Sequence, residues 1–201
     1  MNWTLKTITQ ETHHKFLNFF TYSFVVEKEG ETADYPYYVS SRHNKDELLA
    51  LTHRFSRPDG VLIAAIKEGD EPSVLIIEEF RPPLNAKVIE FPAGLLEPTD
   101  ENETVAAMRE SIEEAGVELC DVTLLCPPSP TSAGLSDEMV SVVYGKVKGL
   151  TDTHLEKFED IHARFLPIRD IPALLADPNA LIAINARLCL LYIQELFRNK
   201  K

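Results

Sequence analysis

Three glutamates, Glu110, Glu113 and Glu114, lie within the short stretch RESIEEAG at residues 109–116. If this stretch is helical, Glu110 and Glu114 lie one turn apart with Glu113 beside them. Like charges at this spacing destabilise a helix by roughly 0.2–0.5 kcal/mol per pair. A solvent-exposed acidic face is the ordinary explanation. The alternative is a hard cation, because Mg²⁺ binds one or two carboxylates together with waters and the phosphates of a substrate.

The flanking residues predict a helix over 104–115 that presents these glutamates on one side. Asn102 or Thr104 could cap its start, and Gly116 stands where a left-handed stop is expected. Apolar residues recur at helical spacing on the other side and predict a stripe that packs against the core: Val105, Met108 and Ile112.

The stretch resembles the REUxEExGU end of the Nudix box, in which U is a bulky aliphatic residue. Seven residues separate Glu101 from Arg109, as that box requires. The sequence departs from the box in two places: six residues instead of five separate Gly94 from Glu101, and Ser111 occupies the first U position. We place the additional residue in the loop at 97–100, where insertions are inexpensive. Neither departure changes an acidic residue of the helix.

The neighbouring segments EEFRPP, VIEFPAGLL and AGLSDE resemble the ADP-ribose/ADP-sugar pyrophosphatase branch of the Nudix hydrolases. The resemblance extends over about residues 19–196 and is dense over 77–138. It implies metal-dependent hydrolysis of the diphosphate bond of ADP-ribose or a related nucleoside diphosphate sugar, giving a nucleoside monophosphate and a sugar phosphate. It also implies a homodimer in which the N-terminal sheet of one subunit helps to enclose the nucleoside in the other.

The resemblance assigns a metal site to four positions. Mg²⁺, with Mn²⁺ as an alternative, is expected on Glu110, Glu114 and the backbone carbonyl of Ala93, with Glu113 as an additional ligand. Glu114 is expected to be essential for turnover.

Other positions are assigned to the substrate or to support. Arg81 is similar to an arginine that contacts the diphosphate, and its planar guanidinium suits that ligand. We also place Gly94 and Leu95 at the substrate. Three residues are expected to hold the ligands in place without contacting the substrate: Arg109, Glu90 and Glu101.

Attack of water on a diphosphate requires a base within reach of the water. In this branch the base is a glutamate in the loop before the last strand, and here that loop contains Glu156 and Glu159. The match around EDI points to Glu159, whereas the variable length of this loop leaves Glu156 open. Glu138 in the LSDE segment is a further candidate for a metal or base contact, or for a carboxylate that orders its loop.

Composition limits the other functions. The formal net charge of −12 disfavours nucleic acid as a partner, because binding of its phosphates relies on Lys and Arg. A phosphorylated substrate would therefore need a divalent cation to supply positive charge. The three cysteines lack metal-ligand spacing and predict reduced thiols in the cytoplasm. The six histidines form no ligand set and are expected at the surface. No run of about 18 apolar residues predicts a membrane span.

Strand and helix patterns predict an α+β fold, an α/β/α sandwich of the Nudix type with a mixed β-sheet between helices. Apolar or β-branched runs predict strands at 60–67, 73–80, 87–91, 121–126, 139–147 and 161–166. Residues 127–134 are expected to form a loop. A short helix is expected near residue 170. A longer one is expected from Asp177 to about Phe197, with one apolar face: Leu181, Ile184, Leu188, Leu191 and Tyr192.

The N-terminal third is expected to form a small antiparallel sheet. Residues 21–26 and 34–40 form a hairpin pattern around Gly30, whereas residues 11–20 fit either a short helix or an irregular approach to a strand. We divide the chain into an extension at 1–56, for dimerisation and substrate enclosure, and a hydrolase domain at 57–201.

Two alternatives remain at this stage. A Nudix domain could bind an ADP-ribose-like ligand without cleaving it. Such a sensor could lose Glu110, Glu113 and Glu114 freely, so the presence of all three favours an enzyme. A housekeeping pyrophosphatase for nucleoside triphosphates is disfavoured by Arg81 and the AGLSDE segment, which resemble the ADP-sugar branch.

Overall fold

The computed structural model describes residues 1–155, 157 and 159–198. These residues form two compact units. The first contains Met1–Asp59 and Pro128–Val140, and the second contains Gly60–Pro127 and Ser141 onwards. A segment from the middle of the chain therefore joins the N-terminal sheet in the first unit.

The first unit is built on an antiparallel sheet in the order β1-β2-β3. Its strands are β1 (Asn2–Gln10), β2 (Asn18–Lys28) and β3 (Glu31–Ser41). The β2–β3 hairpin turns at Glu29 and Gly30, both at positive φ, which confirms the predicted hairpin. The sequence did not predict β1, and residues 11–17 form a connection and not a helix.

One face of this sheet carries the core of the first unit. Ile8, Phe20, Tyr22 and Val39 are buried there together with Leu48. Leu48 precedes the short helix α1 (Leu49–Thr52), which follows a 3₁₀ turn at Lys45–Glu47. The opposite face of the strands is more exposed, as expected for an antiparallel sheet with one solvated side.

The second unit contains a mixed sheet with the strand order β10-β5-β4-β9-β8, with β6 paired to β5 and β7 paired to β4. The strands are β4 (Gly60–Lys67), β5 (Ser73–Arg81), β6 (Ala86–Glu90), β7 (Ala93–Leu95), β8 (Val117–Pro130), β9 (Met139–Leu150) and β10 (Ile161–Pro167). All strands predicted for this part of the chain are confirmed. β4 and β5 are buried along almost their whole length, as strands between two helical layers are.

β8 extends further than predicted. Residues 127–130, PPSP, were expected in a loop but continue the strand. Proline cannot donate to a ladder, so it is tolerated in edge strands. β8 stands at the end of the strand order, which explains why the prolines do not stop it.

Helix α2 (Glu103–Ala115) confirms the predicted helix and both of its ends. The side chain of Asn102 accepts hydrogen bonds from the backbone N–H groups of Thr104 and Val105, at 3.0 and 3.1 Å. Gly116 adopts φ 61° and donates its N–H to the carbonyl of Ile112 at 2.9 Å. A Cβ at Gly116 would also overlap the carbonyl oxygen of Thr151, so glycine is required there twice over.

The predicted apolar stripe of α2 is wrong. The residues that α2 buries are Ala106, Ala107 and Ser111, whereas the side chain of Met108 is 37% exposed. Ala106 and Ala107 pack on Val61, Ile63 and Ala65 of β4. Small side chains at this contact allow the helix to lie close to the sheet, which the pattern of large apolar residues could not indicate.

The C-terminal helices are α3 (Ile171–Ala176) and α4 (Ile184–Arg198). Asp177 ends α3 and does not start the long helix, because Leu181 and Ala183 instead form backbone hydrogen bonds with Ile89 of β6. The predicted apolar face is exposed, and α4 buries a different set: Ala186, Leu190 and Ile193.

The architecture confirms the predicted α+β fold, with a mixed sheet between helices and a small antiparallel N-terminal sheet. Within the part of the chain that the structure describes, no helix has both the length and the apolarity that a membrane crossing requires.

Candidate active site

Glu110 and Glu114 lie where α2 packs on the short strand β7. The backbone N–H of Ala93 donates to Glu114 Oε2 at 3.1 Å. The carboxyl group of Glu110 lies so close to Gly94 that a Cβ on this residue would overlap it. Pairing of β7 with β4 fixes the strand, with Gly94 opposite Val61. The glycine is therefore needed for the approach of Glu110, a role that differs from the substrate contact we predicted for it.

Arg109 ties the acidic residues of the helix to the preceding loop. Its Nη1 contacts Glu110 Oε1 at 2.8 Å and Glu113 Oε2 at 2.9 Å. Its Nη2 contacts Asp100 Oδ2 at 2.8 Å and the carbonyl of Leu95 at 3.0 Å. The hydrogen bonds that Arg109 donates to the Asp100 carboxylate are the largest cause that raises the pKa of Arg109. These contacts fit the supporting role predicted for Arg109, and they give Leu95 an anchoring carbonyl.

Arg81 is the last residue of β5 and lies between two carboxylates. Its Nη1 contacts Glu79 Oε1 at 2.9 Å, and its Nε donates to Glu90 Oε2 at 2.8 Å, with Nη2 in contact with the same oxygen. Burial acts to lower the pKa of Arg81, but Glu90, Glu79 and Glu114 outweigh it and raise the pKa. The guanidinium stays 40% exposed, so it can still meet a ligand.

Burial and mutual repulsion disturb the carboxylates of this region. Burial raises the pKa of Glu114 to about 8. The hydrogen bond from the Ala93 N–H acts to lower this pKa, whereas the charges of Glu110, Glu79 and Glu159 act to raise it. Burial also raises the pKa of Glu110 and of Glu79. Among the described residues, these contacts and charge effects join seven carboxylates and two arginines into one group, here called the acidic cluster: Glu79, Glu90, Asp100, Glu110, Glu113, Glu114, Glu159, Arg81 and Arg109.

The sequence pattern of the NUDIX domain matches residues 56–185 of the chain. The chain belongs to the Nudix family.

Individual relatives agree with this assignment. The chain is 33% identical over 103 residues to a Bacillus subtilis (strain 168) protein named ADP-ribose pyrophosphatase, a match covering 51% of this chain and 54% of that protein. It is 30% identical over 152 residues to Nudix hydrolase 14, chloroplastic, from Arabidopsis thaliana, covering 65% of this chain and 49% of that protein. The chain thus spans about half the length of these relatives.

The fold has a counterpart among solved structures. A crystal structure of an ADP compounds hydrolase matches with a TM-score of 0.72 over 100% of this chain and 96% of that one, at 16% identity. At this identity the match establishes the Nudix fold and leaves the substrate to be argued from the site.

Asp100, which the sequence did not single out, is the acid before the helix that Arg109 contacts. We assigned the first acid of the box to Glu101, but Glu101 is exposed, whereas the side chain of Asp100 is 3% exposed and binds Arg109 through both oxygens. Five residues separate Gly94 from Asp100, as the box requires of its first acid. If Asp100 is taken as this acid, eight residues instead of seven separate it from Arg109, and the additional residue then follows the acid.

Ser111 replaces an apolar residue of the box with a specific contact. Its side chain is fully buried, and its hydroxyl donates to the carbonyl of Val117 at 2.5 Å. The bond ties α2 to the start of β8 and satisfies the hydroxyl, so the substitution leaves the helix in place.

The candidate bases differ in position. Glu159 is near the acidic cluster, because its charge contributes to the raised pKa of Glu79 and of Glu114. Glu156 lies outside the described residues. Glu138 belongs to the first unit, where it contacts Arg42 at 3.3 Å and accepts from the hydroxyl of Thr131 at 2.7 Å. These contacts fit the alternative in which Glu138 orders its own loop.

The donor atoms of the acidic cluster suit a divalent cation, on which Nudix enzymes depend. Carboxylate oxygens are the ligands that hard cations prefer, and two arginines do not balance seven carboxylates. Arg109 and the Ala93 N–H contact one oxygen each of Glu110, Glu113 and Glu114, which leaves each carboxylate a second oxygen. Within the described residues no three acidic, histidine or cysteine side chains converge on one point, which agrees with the preference of Mg²⁺ for one or two carboxylates together with waters and phosphates.

Proposed function

We propose that this Nudix protein hydrolyses the diphosphate bond of ADP-ribose or a related nucleoside diphosphate sugar, giving a nucleoside monophosphate and a sugar phosphate. The observation that carries the proposal is the placement of two partly buried carboxylates, Glu110 and Glu114, against β7, in electrostatic reach of the half-exposed Arg81. The relative from B. subtilis that is named ADP-ribose pyrophosphatase supports the choice of substrate class.

The cation, Mg²⁺ or Mn²⁺, is proposed to be held by Glu110, Glu113, Glu114 and the Ala93 carbonyl. When bound, it would neutralise charge on the diphosphate and favour attack by water. Arg109 holds one oxygen of Glu110 and one of Glu113. Each carboxylate therefore loses less rotational freedom when it binds the cation.

Arg81 is proposed to bind the diphosphate. Glu79 and Glu90 already orient its guanidinium, so little side-chain freedom is lost when a phosphate oxygen accepts a hydrogen bond from it. Arg81 also supplies a positive charge to the diphosphate, which would share the guanidinium with Glu79 and Glu90. Gly94 and Leu95 are proposed to border the same substrate.

A carboxylate oxygen of Glu159 is proposed to accept a proton from the attacking water. Its charge contributes to the raised pKa of Glu114 and of Glu79, which supports a position near the acidic cluster. Glu156 is the alternative base, and Glu138 is a third.

Assembly and location are part of the same proposal. We infer a homodimer in which residues 1–56 help to enclose the nucleoside, and a cytoplasmic setting with reduced cysteines. Sedimentation velocity of the full chain checks the dimer, which a monomer at micromolar concentration would contradict.

Incubation of the full chain with a panel of substrates tests the activity. ADP-ribose, other ADP-sugars, UDP-sugars and nucleoside triphosphates are each supplied with Mg²⁺ or Mn²⁺, and products are separated by chromatography. We expect AMP and ribose 5-phosphate from ADP-ribose, with loss of both products when a chelator is added. Faster release of pyrophosphate from a nucleoside triphosphate than of AMP from any ADP-sugar would refute the proposal.

A further inference from the structure

The first unit contains a cavity of about 410 Å³ on the buried face of its sheet. Its walls come from β1, β2, β3, α1 and the segment 133–137, and include the aromatic rings of Trp3, Tyr22, Phe24 and Tyr37. Trp3 meets Phe24 edge to face, with ring centroids 5.5 Å apart. The volume lies within the range of about 300–1,000 Å³ that is typical of small-molecule sites.

Two polar atoms at this cavity have no hydrogen-bond partner: the hydroxyl of Tyr22 and Oδ1 of Asp137. Tyr22 is 5% exposed, and Asp137 uses its other oxygen to accept from the N–H of Leu49 at 3.2 Å. Buried polar groups are ordinarily paired, because leaving one unpaired costs about 1–3 kcal/mol. One bridging water occupies about 30 Å³, far less than this cavity, so a single water does not account for the space.

The charge of the walls selects the ligand. Of the lining residues that the structure describes, Asp137 is the one with a charged side chain, and none is cationic. A carboxylate oxygen can only accept, and a tyrosine hydroxyl can accept as well as donate. A ligand with N–H donors therefore satisfies both groups, whereas an anion would face Asp137 without compensation.

The aromatic walls favour the same kind of ligand. The faces of tryptophan, tyrosine and phenylalanine attract cations within about 6 Å of the ring centroid, by about 0.5–2 kcal/mol each. Burial, followed by the charge of Asp137, raises the pKa of Tyr22 to about 12, so its hydroxyl stays neutral beside the carboxylate. Aromatic faces and a carboxylate in one cavity are complementary to a positively charged group.

We propose that this cavity binds an organic cation, a protonated amine or amidine on a small apolar body, with its N–H groups donated to Asp137 Oδ1 and the Tyr22 hydroxyl. The ring or chain of the ligand packs against the aromatic and aliphatic side chains that line the cavity. This site is independent of the diphosphate chemistry proposed for the second unit.

Trp3 makes the test direct, since it lines the cavity and is the sole tryptophan of the chain. Benzylamine, benzyl alcohol and benzoate have similar shapes and carry positive, zero and negative charge at pH 7. Each is titrated into the full chain, and binding is read from Trp3 fluorescence and from ligand-observed NMR. We expect saturable binding of benzylamine with a Kd of about 1 mM, binding of benzyl alcohol about tenfold weaker, and the weakest binding for benzoate.

Three variants sharpen the result. Asp137→Asn keeps an acceptor for Leu49 but removes the charge, and should weaken benzylamine about tenfold. Tyr22→Phe keeps the ring and removes only the hydroxyl, and should weaken it about threefold. Asp34→Asn changes an exposed carboxylate on β3 outside the cavity and should leave the Kd unchanged. The comparison of benzylamine, benzyl alcohol and benzoate uses the wild-type chain alone. It therefore tests the proposal even if a variant folds poorly.

Equal affinity for the three probes, or no saturable binding of benzylamine, would overturn the proposal. Displacement of benzylamine by adenosine at equal or lower concentration would do the same, because it would assign the cavity to a neutral heterocycle.

Discussion

The two units collect polar groups in opposite ways. The acidic cluster of the second unit gathers seven carboxylates around Arg81 and Arg109, and burial raises the pKa of three of them. The cavity of the first unit holds a single carboxylate, Asp137, among aromatic rings. Excess negative charge among charged neighbours suits a divalent cation, whereas one charge against aromatic faces suits an organic cation. Both sites carry a net negative charge, but we propose a divalent cation for the acidic cluster and an organic cation for the cavity.

The two sites also differ in how the sequence encodes them. Most of the acidic cluster comes from residues 90–114, so its spacing is visible as a motif. The cavity is assembled from residues as distant as Trp3 and Asp137, which only the folded chain brings together. A motif search finds the first kind of site and is blind to the second.

The largest effect is expected from Glu114→Gln. If Glu114 holds the cation as proposed, its loss should remove several kcal/mol of charge stabilisation, which corresponds to a fall in kcat of about 10³-fold or more. Without added metal at pH 7 the variant should unfold at a higher temperature than the wild type, because folding no longer has to protonate a carboxyl group whose pKa rises from 4.5 to about 8. Product release from ADP-ribose and thermal unfolding in a chelator measure the two effects.

Glu118→Gln is the matched control, since Glu118 lies on β8 with 46% of its side chain exposed and pairs only loosely with Lys148 at 3.9 Å. Neither its kcat nor its unfolding temperature should change appreciably. Undiminished turnover in Glu114→Gln would contradict the proposal that the acidic cluster of the second unit binds a catalytic cation.

The features of the fold and the site that could be predicted are those set by residues close together in the sequence. The hairpin at 60–67 and 73–80 and the Gly116 stop are set by neighbouring residues, and both were predicted correctly, whereas Asn102 was one of two residues expected to cap α2. The glutamates of α2 were found in the same way. β1 escaped because a register shift between Leu5 and Thr7 interrupts the alternation of apolar residues. The periodicity on which strand prediction relies is broken at that point.

Errors at the site itself came from long-range contacts. Asp100 and Glu101 are adjacent acids, and only the position of Arg109 in space distinguishes them. The start of α4 was misplaced because Leu181 and Ala183 pair with Ile89, almost a hundred residues earlier in the chain. Asp177-Pro178 is a strong helix-start signal by itself, and the tertiary pairing overrides it.

A smaller loss is expected from Glu159→Gln. If Glu159 accepts the proton of the attacking water, kcat should fall about 10²-fold while the affinity for metal and substrate changes little. Glu156→Gln is the paired variant. A larger fall in Glu156→Gln than in Glu159→Gln would transfer the role of base to Glu156.

Gly94→Ala tests the close approach of β7 and α2. The added methyl group overlaps the Glu110 carboxyl, which must then move away from its contact with Arg109. A displacement of about 1 Å at such a site lowers kcat by about tenfold to 10²-fold. Gly134→Ala is the control from the first unit, because a Cβ there meets only the Tyr37 hydroxyl at 3.7 Å. Equal kcat in both variants would show that the Glu110 position is not critical.

The smallest effect is expected in the first unit and concerns stability. His43 is not a free surface residue as expected, since its Nε2 lies 3.1 Å from Asp59 Oδ1. The contact with Asp59 raises the pKa of His43 against the effect of burial, and the charges of Asp137 and Glu47 act in the same direction. Burial opposes the shift of Asp59, but His43 and the N–H of Met139 lower its pKa.

The signs of these shifts define a pH window. A raised histidine pKa stabilises the fold fully below the ordinary value of 6.5 and loses this contribution as the pH rises through the folded value. A lowered aspartate pKa stabilises the fold above 3.8 and loses its contribution as the pH falls. The pair therefore contributes most between these two values. We expect roughly 1 kcal/mol there, the upper end for ion pairs near the surface.

Urea unfolding followed by Trp3 fluorescence checks this window at several pH values from 5 to 9. His43→Gln should be less stable than the wild type at pH 5, and the difference should shrink at alkaline pH, where wild-type His43 is neutral. His13→Gln, at an exposed position, should match the wild type throughout. A difference in stability that is constant from pH 5 to 9 would mean that His43 acts by packing and not by charge.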